Sequence, residues 1–318
     1  MTLTTREGIL LLGLPRSGTT LLRRLINAHS QISCPGETNL FGAASRFLRS
    51  DGFSKSPPIG VASGLSYLGF SESEVTDRLR NFVLGFHRDH VQSMGKRLWA
   101  DKSPLDAFYL KAIEQLLGDH VFFVFLHRHA LDFACSLNEF CSKAGGYYSE
   151  IHAYIASHKE PMVAFAEIWV EITEEMIRME HRWRECSVSL RYEDLVFTPE
   201  TELRQIFTLV ECDWEPGLIG RAMADSDDVG LGDWKTYSKS VIDPSSIGRW
   251  AKLPSRTISL LAERVNPTLK KLGYPQLSIA KGKSSKEILR EYELGLLIQQ
   301  MRSKHPESPN GDISPAAE

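Results

Sequence analysis

GILLLGLPRSGTTLLRRLI, residues 8–26, decides how the rest of the chain is read. Residues 8–12 form an unbroken apolar run, the pattern of a parallel strand covered on both faces. Gly13, Pro15 and Gly18 then punctuate a turn, and after Thr19 the apolar residues Leu21, Leu22, Leu25 and Ile26 recur at helical spacing. A loop between a buried strand and a helix turns backbone N–H groups inward. The helix N-terminus adds partial positive charge, so the stretch is predicted to hold an anion, typically a phosphate. Residues 13–20, GLPRSGTT, fit the spacing Gly-x-x-x-x-Gly-x-[Ser/Thr], but Thr19 stands where a nucleoside triphosphatase has its lysine. Arg16, inside the loop, is the candidate replacement cation for an anion of a different shape.

Outward from that loop, the chain alternates strands and helices. A short strand is predicted at 97–100, a strong one at 121–126 (VFFVFL) and another at 188–192 (VSLRY). Helical patterns cover 74–90, 131–140 and 162–182. Residues 51–69 and 144–158, rich in Gly, Ser, Pro and Tyr, read as loop-rich excursions. The alternation predicts an α/β, P-loop-like three-layer fold: a central parallel sheet flanked by helices, with loop-rich excursions. One domain is expected over 1–280, a C-terminal helix over 281–304 and a disordered polar tail over 305–318. Ile288, Leu289, Tyr292, Leu296 and Leu297 share one stripe of that helix, which packs back on its own domain or makes a homodimer contact.

Composition narrows the function classes. The 318 residues are 42% hydrophobic and 24% charged, which excludes disordered, collagen-like and disulfide-rich classes. Thirty-seven Lys and Arg against 40 Asp and Glu leave a formal charge of −3, which argues against a nucleic-acid partner. Cys34, Cys135, Cys141, Cys186 and Cys212 are scattered, without a CxxC pair, so neither a metal site nor a disulfide framework is expected. No signal peptide or membrane span is visible, and a cytoplasmic location follows as the expectation.

The stretch GLPRSGTTLLRRLINAHSQISCPGET, residues 13–38, resembles the 5′-phosphosulfate loop of sulfotransferases that use 3′-phosphoadenosine 5′-phosphosulfate. It is most similar to the branch containing tyrosylprotein sulfotransferases and related bacterial enzymes, and the likeness runs with gaps from residue 8 to about 274. By this resemblance Pro15, Arg16, Ser17, Gly18, Thr19 and Thr20 cradle the donor. FLHRHALDFACSLNEF, residues 125–140, resembles the 3′-phosphate motif, which carries that role to Arg128 and Ser136. The physics agrees for Arg128: it leaves a buried strand at its C-terminal end, where α/β ligands bind, and guanidinium matches phosphate bidentately. Phe140 stands where tyrosylprotein enzymes have a further arginine. RYEDL, residues 191–195, places Tyr192 where the family has a residue close to the adenosine. Residues 247–250, IGRW, are similar to the cofactor-covering segment and favour Arg249, over Lys235 or Lys239, as a phosphate contact.

Two further residues match the positions of the branch's catalytic groups, Glu37 in Gly36-Glu37-Thr38 and Lys102 in Asp101-Lys102-Ser103-Pro104. Sulfuryl transfer needs a base for the acceptor hydroxyl and cations around the transferring group. Glu37 is the expected base, with Lys102 and Arg16 as the cations. A histidine is the alternative base, and His127, His129 and His152 are the ones in range of the motifs. The chain departs from the tyrosylprotein enzymes in that Ala100 occupies the place of the usual disulfide partner of Cys34. The excursions are poor in lysine and carry Phe53, Tyr67, Tyr147 and Tyr148, which suits a small or carrier-bound hydroxyl acceptor better than a polyanion. Three alternatives stay open: a tyrosylprotein acceptor, a P-loop kinase or other phosphotransferase, and a non-enzymatic nucleotide-binding module. The missing loop lysine opposes the second, and the third has no use for Glu37 and Lys102 together.

Overall fold

The computed structural model describes residues 6–53, 56–224 and 240–277, together with 284, 286–287, 289–290, 292–295 and 297. Strand β1 (Gly8–Leu12) runs through the middle of a five-stranded sheet and is buried at every position, as its unbroken apolar run requires. Its neighbours are β5 (Leu98–Asp101) on one side and β6 (Val121–His127) on the other. The edge strands are β2 (Ile32–Ser33) and β7 (Ser187–Arg191), giving the order β2-β5-β1-β6-β7 with every pairing parallel. Parallel neighbours need crossovers, and helices supply them on both faces. Ile9, Leu11, Val124, Leu126 and Leu190 point to one face. There they join Leu22 and Leu25 of α1 (Thr19–Asn27) and Ile206 and Phe207 of α10 (Pro199–Leu209) in one apolar cluster. Residues one place along, such as Phe123 and Phe125, face the other way. On that side α8 (Pro161–Arg182) lies against β6 and β7, and α6 (Ala130–Ala144) lies against α8. The three-layer α/β expectation is met.

Elsewhere the structure has more regular pieces than the sequence suggested. The helix expected at 74–90 is α4 (Glu72–Ser93), started by a capping box in which Ser71 accepts from the Glu74 N–H and the Glu74 carboxylate accepts from the Ser71 N–H. Residues 51–69 are not an unstructured excursion. They hold most of an antiparallel hairpin, β3 (Ser50–Phe53) with β4 (Ser56–Gly60), followed by α3 (Val61–Ser66). A hairpin outside the main sheet needs no long apolar alternation, so residues 50–60 carry no such strand signal. In 144–158, α6 reaches Ala144, a 3₁₀ turn covers Ser149–Ile151 and α7 (His152–Ser157) follows. Helix α2 (Leu40–Leu48), the 3₁₀ turn Pro104–Tyr109, α5 (Leu110–Leu117), α9 (Tyr192–Phe197) and α11 (Leu218–Ala224) complete the first part of the chain. Tyr192 therefore opens a helix and does not end a strand.

The chain divides into two compact units, residues 1–247 and 248–318. The second unit has its own buried stripe on α12 (Ser255–Lys271): Ile258, Leu261, Ala262, Val265 and Leu269. Within it, Tyr292 is buried and meets Trp250 edge to face at 5.3 Å, so this part of the C-terminal stripe packs on its own unit. Leu297 is more than half exposed, while Ile288, Leu296, Lys235, Lys239 and the tail 305–318 lie outside the described residues. No helix among the described residues is long and apolar enough to cross a membrane, and all five cysteines are free thiols.

Candidate active site

The loop after β1 is bent by two residues in the left-handed region, Arg16 at φ 71° and Gly18 at φ 94°. For Gly18 the requirement is steric as well as conformational, because a Cβ there would sit 2.2 Å from the Tyr192 ring. For Arg16 the conformation is a strain of the kind kept where a binding loop needs it. The turn closes through the Ser17 N–H, which donates to the Leu14 carbonyl at 3.1 Å, and the Leu22 N–H picks up the Gly18 carbonyl at 3.2 Å. The first N–H groups of α1 have no partner inside the helix, and its N-cap is a glycine without a side chain to cap them. Gly13 lets the loop lie against β6, since a Cβ would meet the Leu126 carbonyl at 2.8 Å.

Arg128 stands just beyond the C-terminal end of β6 and is almost fully buried. Its Nη1 donates to the Arg16 carbonyl and its Nη2 to the Ser246 carbonyl, both at 2.6 Å. Its guanidinium lies over the Tyr192 ring at 4.7 Å. The buried Nε has no hydrogen-bond partner among the described residues, and each Nη carries a second N–H. Arg128 thus braces the strained loop from behind and still has donors for an anion. Ser136 and Arg16 also meet, Nε donating to the Ser136 hydroxyl at 3.4 Å. Phe140, at the place where the resembled enzymes have an arginine, lies under the Arg16 guanidinium at 5.4 Å and stacks on Tyr148 at 5.2 Å. One aromatic stack thus holds the loop cation.

A cleft of about 490 Å³, part of it open to solvent, is lined by Pro15, Arg16, Gly18, Thr19, Thr20, Glu37, Pro104, Leu105 and Tyr148. Into its wall comes the ion pair of Lys102 Nζ with Glu37 Oε1, at 2.5 Å. Lys102 is 1% exposed and Glu37 18%, so the pair keeps one end in the cleft and the other in the protein. Behind it Asp101 is wholly buried, and burial pushes its carboxyl up to about 6. The glycine loop, the acid–base candidate and two cations are therefore in one place.

Several expectations change. His127 and His129 flank Arg128 but are fully buried, and burial pushes them down to about 4 and about 3. Neither ring nitrogen of His127 has a hydrogen-bond partner among the described residues. His152 is exposed, and its Nε2 pairs with the Tyr147 carbonyl at 3.1 Å; it does not line the cleft. Of the three excursion aromatics whose side chains are described, Tyr148 lines the cleft and Tyr67 and Tyr147 do not. Tyr67 is 93% exposed, and the Phe53 side chain lies outside the described residues. Arg249 belongs to the second unit, in a 3₁₀ turn over Arg249–Lys252. Pro104, Leu105 and the Phe140–Tyr148 stack were not anticipated as site residues. The only signal for the first two was their place beside Lys102. Among the described residues no group of three or more His, Cys, Asp or Glu is arranged to hold a metal ion.

Comparison with known proteins supplies the class. Residues 8–216 match the profile of the Sulfotransferase family. A candidate protein-tyrosine sulfotransferase of Caenorhabditis briggsae is 24% identical over 268 residues, covering 82% of this chain and 87% of that protein. The nodulation protein NoeE of Sinorhizobium fredii is 26% identical over 284 residues, 84% of this chain and 65% of that one. Among solved structures, the sulfotransferase domain from the curacin biosynthetic pathway superposes with a TM-score of 0.52 at 19% identity, covering 90% of this chain and 98% of that domain. That last likeness speaks for the fold.

Proposed function

The chain belongs to the sulfotransferase family, and on that premise we propose that it transfers the sulfuryl group of 3′-phosphoadenosine 5′-phosphosulfate to the hydroxyl of a small or carrier-bound metabolite. The observation that carries this reading is the Lys102–Glu37 pair in the wall of the cleft that the glycine loop lines. In the proposed reaction the acceptor oxygen forms the new O–S bond as the bond from sulfur to the phosphate oxygen breaks, leaving adenosine 3′,5′-bisphosphate. Glu37 takes the acceptor proton. Lys102, released from Glu37 as that proton arrives, and Arg16 offset the charge that builds on the leaving phosphate. Pro15, Ser17, Gly18, Thr19 and Thr20 hold the 5′ end of the donor through the loop and the helix N-terminus. Arg128 and Ser136 take its 3′-phosphate, Tyr192 borders the adenosine, and Arg249 adds a phosphate contact. The uncommitted donors of buried Arg128 fit such an anion.

The uncharged part of the cleft wall, Pro15, Pro104, Leu105 and Tyr148, supports a neutral acceptor. The relative named for protein-tyrosine sulfation favours a second reading, a peptide tyrosine as acceptor. The free thiols support a reducing compartment, hence the cytoplasm.

Calorimetric titration with adenosine 3′,5′-bisphosphate, beside ATP with magnesium, tests the donor. Binding of the bisphosphate alone is the expected result, and preference for ATP would make the chain a phosphotransferase. Arg128→Ala should weaken bisphosphate binding by about 10- to 100-fold, the loss of hydrogen bonds to a charged group. Glu37→Gln should leave that affinity within about twofold and lower turnover by about 100-fold or more. Equal binding losses from both would sink the division of roles. Phenols, aliphatic alcohols and an acidic tyrosine peptide, offered in parallel, separate the two acceptor readings.

A further inference from the structure

Three consecutive residues of one segment each meet the strand end that carries Lys102. Glu37 accepts from Lys102 Nζ at 2.5 Å. The Thr38 hydroxyl donates to Asp101 Oδ2. The Asn39 N–H donates to the Ser103 hydroxyl at 3.0 Å, and that hydroxyl donates in turn to Asp101 Oδ1 at 3.0 Å. Both oxygens of one buried carboxylate therefore hold the segment, directly through Thr38 and indirectly through Ser103. The segment needs holding, because Asn39 sits at φ 56°, in the left-handed region that only glycine enters freely. The Leu40 N–H completes the turn by donating to the Thr38 hydroxyl at 3.3 Å.

We propose that Asp101 is a positioning residue for sulfuryl transfer: through Thr38 and Ser103 it sets the Glu37 carboxylate against Lys102, without itself touching the reactants. The inference rests on the sulfotransferase reading of the Glu37–Lys102 pair. An ionised carboxylate is suited to the task because it accepts at both oxygens and donates at neither, so both hydroxyls are turned in one sense. The surroundings make this an expensive way merely to stabilise a fold. Asp101 has 0% side-chain exposure, and His87 Nε2 stands 3.7 Å from Oδ2. His87 stacks against Trp99 at 4.4 Å and Phe41 at 5.2 Å. Asp106, also buried, has its carboxyl pushed well above the usual range by burial and by the neighbouring Asp101. Burying a carboxylate among aromatic rings costs folding free energy that an apolar residue would not. What the carboxylate adds is the direction of two hydroxyls.

Thr38 is the handle for a test, since it is only partly buried and Val is nearly isosteric. The full chain is compared as wild type, Thr38→Val and Thr38→Ser. Four things are measured: affinity for adenosine 3′,5′-bisphosphate, bisphosphate release from the donor at saturation with 4-nitrophenol as acceptor, the melting temperature, and the Glu37–Lys102 separation in crystals. Thr38→Val should lose the 2.5 Å contact and slow release by at least about tenfold, with bisphosphate affinity and melting temperature nearly unchanged. Thr38→Ser, which keeps the hydroxyl, should restore both contact and rate. A Thr38→Val protein that keeps the contact or the rate overturns the proposal. So does one whose affinity and stability fall in step with its rate and which Ser does not rescue. A wild type that neither binds the bisphosphate nor releases it would instead refute the donor assignment, and the crystal contact would still decide whether Thr38 and Asp101 set Glu37.

Discussion

Gly18 and Tyr192 are far apart in the sequence, and the ring of one closes over the backbone of the other. That contact joins the loop to the stack in which Arg128 faces Tyr192. A single methyl group should disturb it. Gly18→Ala puts a Cβ within 2.2 Å of the ring at a φ of 94°, so stability should fall by at least about 1–3 kcal/mol by chemical denaturation. Combining it with Tyr192→Leu should cost less than the two single changes added together, because the second removes the clash created by the first. Strict additivity would mean that the loop does not depend on this approach. At this scale the sequence was informative about identity and weak about partners. Gly18 and Arg16 stood out from spacing alone, whereas Arg128 donating to the Arg16 carbonyl depends on β6 lying beside β1.

Strand β6 carries the second lesson. Its apolar run announced a buried strand, and every residue from Phe123 to His127 is buried. The polar end of that run is the surprise: His127 is buried with neither nitrogen hydrogen-bonded among the described residues, and burial drives it down to about 4 from an ordinary 6.5. A lowered histidine stays neutral in the folded chain while the unfolded chain takes up a proton below pH 6.5. The stability it leaves in place is therefore whole above 6.5 and is lost as pH falls from 6.5 towards 4. His127→Leu should reduce the fall in unfolding free energy between pH 7 and pH 5 by about 2 kcal/mol, measured by urea denaturation at both values. At pH 7 the same change should be neutral or stabilising, since it removes unpaired polar atoms from the interior. An unaltered pH dependence would mean that His127 is solvated or paired in solution. Asp101 acts in the opposite sense, because a raised carboxyl gives stability at low pH that is lost as pH rises through about 6.

For the molecule as a whole, the donor site should behave as a stabilising ligand site. Bisphosphate at about 100 times its dissociation constant adds roughly 2.7 kcal/mol, a rise of several degrees in melting temperature. The rise should persist in the presence of EDTA and shrink sharply in Arg128→Ala. Loss of the shift on chelation would point to a metal in nucleotide binding and against the proposed chemistry. Arg249→Ala should lower the bisphosphate shift, and an unchanged shift would remove Arg249 from the proposed phosphate contacts.

Local sequence was enough for the loop, the helix that follows it, the buried strands β1 and β6 and the long helices α4, α6 and α8. Apolar runs, glycines and helical spacing act over a few residues, and each is visible in one stretch of chain. Resemblance brought Glu37 and Lys102 forward as a pair. Their contact at 2.5 Å is a tertiary fact, made by the turn at Asn39 and the end of β5. The same holds for the Phe140–Tyr148 stack under Arg16, for Thr38 on Asp101 and for the burial of His127. Hydrogen bonds and ring contacts between residues many positions apart depend on which strands become neighbours. That order, β2-β5-β1-β6-β7, is chosen by packing of the whole sheet between its helices, and no single segment contains it.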